Sequence, residues 1–230
     1  MSNTDDLNRD HWILNFREGR FENYFQSFLK EFGGTLEDNR YQVDNDQVFL
    51  KATRYTLAES LDMTLMTYES ERKLSVYREA DKDPDLLHLN LVSRGGYHQS
   101  FTGQNTTVDH QTSRGAFLYN SLFPISVEFD PNRRVDMIFF KFRTSRIGEL
   151  FQDSARVFGD LFEDDTPLSY HSTIGHRLNK LIVDLFKAND DTFDREALVL
   201  YRGMEIFSKM SASLDNLKSR DELNGLHPED

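Results

Sequence analysis

His88, His98 and His110 fall in a stretch crowded with aromatic side chains, and imidazoles in such company can ligate a metal, carry a proton or stack on a ligand. Two rings on one strand share a face only when one residue separates them, so a strand-borne metal site calls for His-x-His. The histidines here are isolated, Asn90 stands where a second ligand beside His88 is wanted, and His-Glu-x-x-His does not occur. Gly-x-Ser-x-Gly and the phosphate-binding P-loop are also absent, and "SRGGYHQSFTG" lacks the dinucleotide fingerprint. The acidic groups "DLFEDD" (160–165) and "DDTFDRE" (190–196) lack calcium-loop spacing and read as helix caps and solvated loops. The expectation is therefore a protein with no catalytic residue, no metal and no cofactor. Lys141, Arg143 and Arg146 end a strand with three positive charges, which either meet an anionic ligand or form a solvated face.

A different chemistry suits the residues between Tyr68 and Tyr119. Tyr68, Arg78, His88, Asn90, Tyr97, His98, Phe101 and Tyr119 mix flat rings with hydrogen-bonding groups, as a pocket for a small molecule does. Tyr68, His88, Tyr97, Phe101 and Tyr119 are the candidate ligand-binding residues. The competing reading places the aromatics in the core and the polar groups in water. Alternation does not decide between them, because "LLHLNL" has apolar residues in both phases.

The elements that would position these residues change character along the chain. Phe21, Phe25, Phe28 and Phe32 recur at helical spacing and Gly33-Gly34 ends the run, which predicts a helix over 17–33. From about Val43 to Arg143, short β-rich runs alternate with "DKDPD", "TGQN" and "DPNRR", the punctuation of an antiparallel β-barrel or sandwich. Beyond Arg146 the helical period returns. "STIGHRLNKLIVDLFKAND" sets Ile174, Leu178, Leu181 and Leu185 on one stripe, and a longer helix starts after Asp194 as its N-cap. The fold class expected is α+β.

That longer helix carries apolar residues well around its surface. One face can cover its own domain, leaving Leu200, Met204, Phe207 and Leu214 as a seam for a twin helix in a homodimer; the alternative is a helix buried on several sides in a monomer. The chain has no cysteine, no basic-then-apolar leader at its start and no apolar run near the ~20 residues of a membrane span, so it reads as a cytoplasmic protein without a membrane partner. A net charge of −12 is unsuited to neutralising phosphates, so this chain alone should not bind nucleic acid.

Three stretches, "GGTLEDNRYQVDND", "TLAESLDMTLMTYESERKLSVYREADKDPDLLHLNLVSRG" and "ELNGLHPED", in the order β domain then helices, resemble the sensor part of AraC-type transcriptional regulators. The resemblance covers most of the chain and lies in pattern rather than in an invariant motif. It implies a cupin-like β-barrel or sandwich preceded by one helix and followed by a helical dimerisation segment. It also implies a small-molecule effector, a homodimer, and DNA contact only through a C-terminal helix-turn-helix domain absent from this chain. The corresponding division is an arm and amphipathic helix over 1–40, a sensor domain over 41–146, a helical dimerisation region over 147–220 and the start of a linker over 221–230. In the last of these, Asn224-Gly225 signals a turn, and Pro228-Glu229-Asp230 looks like a helix start with no helix after it, as a linker cut short would. A metal-dependent cupin enzyme and a stand-alone small-molecule-binding protein are the alternatives.

Overall fold

In the computed structural model, which describes residues 11–17, 22–101, 104–112, 114–163, 166, 168–191, 194–220, 222–223 and 225–226, alternating sequence becomes strand wherever turn residues break it. The first elements are β1 (His11–Phe16), α1 (Glu22–Phe32), β2 (Thr35–Glu37), β3 (Arg40–Asp44), β4 (Val48–Ala58), β5 (Leu61–Ser70) and β6 (Lys73–Arg78). They are followed by β7 (Leu86–Arg94), β8 (Gly96–Phe101), β9 (Gln104–Asp109), β10 (Ala116–Asn120), β11 (Ile125–Phe129) and β12 (Val135–Arg143). The chain then runs through α2 (Thr144–Ile147), α3 (Gln152–Leu161), β13 (Ser169–Ser172), α4 (His176–Asp190), α5 (Arg195–Ser219) and β14 (Gly225–Leu226).

Two sheets result, of five strands in the order β1-β6-β11-β8-β9 and of nine in the order β14-β13-β10-β7-β12-β5-β4-β3-β2. Every pairing is antiparallel except β1 with β6. The α+β expectation is met, with α1 between β1 and the other strands and a mainly helical segment after β12; the strands form two sheets rather than one closed barrel.

Both faces of the nine-stranded sheet are covered, and this explains "LLHLNL". Leu87, Leu89 and Leu91 point to one side, where they join Met63, Leu65, Ile138, Phe140 and Phe142 against α3, α4 and α5. His88 and Asn90 point to the other, toward the five-stranded sheet. On the helical side Phe207 is fully buried, with its ring 5.4 Å from Phe140, 5.0 Å from Phe142 and 5.7 Å from Phe158. Large aromatic side chains sealed this way stabilise a fold by roughly 1.5–3 kcal/mol each.

α1 packs its predicted stripe inward: Phe25, Phe28 and Phe32 are buried, and Phe28 lies 5.6 Å from Tyr41. Phe21 lies outside the described residues. Gly33 and Gly34 take φ of 71° and 86°, the left-handed backbone a glycine tolerates, and so end the helix. The Tyr41 hydroxyl lies 2.8 Å from the Gly33 carbonyl oxygen and 3.2 Å from that of Phe28, and donates into this end.

Several expectations are corrected. The segment before α1 holds a strand, β1, whose parallel pairing with β6 has no local signal. β13 interrupts the region expected to be helical and returns to the large sheet beside β10. Asp194 precedes α5 but has φ 47° and makes no side-chain cap. Gly225–Leu226, read as turn and linker, pairs with β13 as β14, while Asn224 and the helix start expected at Pro228-Glu229-Asp230 lie outside the described residues. On α4 the buried line is Leu178, Ile182, Leu185 and Asn189, with Leu181 only half-buried.

Candidate functional site: a cavity between the sheets

Strand register assembles the site. Across β10, β7 and β12, Tyr119 stands opposite His88 and His88 opposite Lys141; two residues further along, Phe117, Asn90, Phe139 and Thr64 form the next row. Met137 faces Met66 in the third row, and Tyr68 faces Leu50 in the fourth. The five-stranded sheet answers with Phe16, Val76, Arg78, Tyr97, Val127 and Phe129, and α1 adds Tyr24, Phe25 and Phe28. Between them lies a cavity of about 130 Å³. A hole lined by apolar side chains can hold a ligand of benzene size at roughly 150 Å³.

Its two ends differ. At one, the His88 and Tyr119 rings stack at 4.9 Å and 10°, the Arg78 guanidinium lies 5.3 Å from the centre of the Tyr119 ring, and Arg78 Nη2 donates to the Phe123 carbonyl at 2.8 Å. Lys141 completes this end as the register partner of His88. The other end is aromatic: Phe129 packs 5.2 Å from Tyr68 and 5.6 Å from Tyr97. Burial pushes the Tyr68 phenol up to about 12 and raises that of Tyr97 further, so both are protonated donors at neutral pH. Thr64 Oγ1, between the ends, is buried and has no hydrogen-bond partner among the described residues.

Of the residues singled out from sequence, Tyr68, His88, Tyr97 and Tyr119 all line the cavity, together with Arg78 and Asn90. The side chain of Phe101, at the end of β8, lies outside the described residues. His98 does not reach the cavity; it is exposed and bridges Asp130 at 3.2 Å and Thr107 at 3.2 Å. Of the three cations expected to end one strand, Lys141 and Arg143 lie on β12 and Arg146 on α2, and only Lys141 is a lining residue: Arg143 pairs with Asp83 at 2.8 Å and Arg146 with Glu59 at 3.6 Å. Sequence reasoning missed Thr64, Phe129 and the α1 phenylalanines as wall. The α1 stripe was legible as an apolar face, but nothing local shows what such a face covers. No group of three or more histidine or acidic side chains among the described residues is arranged to hold a metal.

The expected dimer seam is divided. Phe207 and Leu214 are buried in the core of their own protomer, whereas Leu200 and Met204 are half-buried. The exposed large apolar residues of α5 are Leu198 and Tyr201, at 43% and 62%.

No family model matches the sequence, and no curated protein does. Among solved structures the chain is similar to the AraC-like transcriptional activator CuxR, with 13% identity and a TM-score of 0.45 over 74% of this chain and 57% of that one. It is similar to a cupin domain of an XRE family transcriptional regulator from Enterobacter cloacae, with 9% identity and a TM-score of 0.33 over 40% of this chain and 95% of that one. KdgF from Halomonas sp. is similar at 8% identity and a TM-score of 0.34, over 46% of this chain and 87% of that one. No helix among the described residues is long and apolar enough to cross a membrane.

Proposed function

We propose that this chain is the effector-sensing and dimerisation domain of a cytoplasmic AraC-type transcription regulator, binding a small molecule between its sheets without transforming it. The observation that carries the reading is the cavity, in which stacked rings and buried donors converge from both sheets on a space the size of a small organic molecule. The sequence resemblance supports the same reading. Signalling would follow from alternation in β12: Phe139 and Lys141 face the cavity while Phe140 and Phe142 touch Phe207 of α5, so a ligand that shifts the strand shifts the helix. Pairing of two protomers through the outward face of α5, at Leu198 and Tyr201, would pass that shift to a partner.

Binding to the folded form alone raises stability by mass action. A thermal-shift screen of sugars, aromatic acids and amphiphilic metabolites is expected to find a ligand, and replacing Tyr68, His88 and Tyr119 together is expected to abolish its shift. A shift that survives the triple replacement would place the ligand elsewhere.

A further inference from the structure

We propose that the ligand of this cavity is a small organic monoanion, a carboxylate on an aryl or alkyl body, held with its charge at the Arg78–Lys141 end. The proposal rests on the reading of the domain as an effector sensor and narrows its chemistry. Three observations lead there.

First, the charged side chains among the described lining residues are Arg78 and Lys141, and they sit at the same end, although the whole protein carries a net charge of −12. Arg78 lies against Tyr119, Tyr119 stacks on His88, and His88 is cross-strand from Lys141, so four side chains gather two cations around one ring pair. Arg78 is 6% exposed, and a cation so buried makes strong charge-assisted bonds to an oxyanion. Both cations also have contacts within the chain, which a carboxylate would join or displace.

Second, the wall beyond that end is mostly apolar, running past Phe139 and Met137 to Phe129, with the hydroxyls of Thr64, Tyr68 and Tyr97 among its few polar groups. A sugar needs a polar partner for nearly every hydroxyl it buries, and most of this lining offers none. Third, the lining residues Lys141 and Met137 are four residues apart on β12, about 13 Å at the rise of an extended strand. The cavity wall is therefore long and polarised, which suits a ligand with a charged head and an apolar body.

The test is binding to the full chain, by thermal shift and calorimetry, of sodium benzoate, phenylacetate and octanoate, each beside its primary amide, with glucose and arabinose as further probes. At least one carboxylate is expected to raise Tm by several degrees, with its amide at least tenfold weaker. Lys141→Met is expected to weaken that carboxylate about tenfold and leave its amide unchanged; Arg78→Gln, checked for folding by circular dichroism, should do the same. Which acid binds separates an aryl from an alkyl body. Sugars or amides binding as well as the acids would overturn the anion assignment and leave the sensor reading standing, as would Lys141→Met without effect on a bound acid. Failure of every probe, and of a wider metabolite screen, would instead overturn the sensor reading itself.

Discussion

Two residues show how this β domain holds polar groups inside. Thr64 lines the cavity with a buried hydroxyl that has no hydrogen-bond partner among the described residues, and a buried hydroxyl left without a partner costs stability. Thr64→Val keeps the shape and removes the orphan, so it is expected to raise the urea unfolding free energy by about 1 kcal/mol while leaving ligand affinity equal or weaker. His171, on β13, stacks on Phe117 at 4.7 Å, and burial, aided by Arg114, lowers its pKa to about 4. Its folded form therefore resists the proton that the unfolded chain accepts below about 6.5. The stability at stake is present at pH 7 and lost as the pH falls from about 6.5 toward 4. Between pH 7 and 5 this amounts to about 2 kcal/mol by linkage. His171→Phe keeps the stacking and is expected to flatten the pH dependence of denaturant unfolding by that amount; an unchanged slope would mean that the imidazole is not shielded.

Among the elements, α5 divides its apolar residues between two tasks that one-dimensional periodicity superimposes. Val199, Ile206, Phe207, Met210 and Leu214 are buried in the core among the sheet and the neighbouring helices, and Gly203 lets α5 approach the sheet so closely that a Cβ there would lie 2.8 Å from Met63 Sδ. Phe207→Ala is expected to cost about 3–5 kcal/mol in denaturant unfolding, as removal of a sealed aromatic does. Leu198→Glu with Tyr201→Glu touches only the exposed side. It is expected to leave stability within about 0.5 kcal/mol and to convert a dimer into a monomer in sedimentation equilibrium. A monomeric wild type at tens of micromolar would remove the pairing proposal. The apolar character of α5 was evident from its residues. Which of them the sheet takes depends on helix rotation, and packing against Phe140 and Met63 sets that.

At the scale of the whole molecule, charge is the readable quantity. With 39 acidic and 27 basic residues, the chain is expected to show no sub-micromolar band in a gel shift with duplex DNA at physiological salt, since phosphate neutralisation supplies most non-specific affinity. Composition and local period sufficed for the antiparallel strands between Val43 and Arg143, the phenylalanine face of α1 and the two long C-terminal helices, because these depend on residues within a few positions of one another. The rings and donors of the cavity were also recognisable as a set: Tyr68, His88, Tyr97 and Tyr119 all line it. Other features had no local signature. β1 lies beside β6 through a parallel pairing that spans α1 and the strands between, and β13 leaves a helical region to extend the large sheet. In "LLHLNL" alternation sets Leu87, Leu89 and Leu91 on one face and His88 and Asn90 on the other, but both faces are buried. Only the layers packed against such a strand decide which face becomes core and which becomes site.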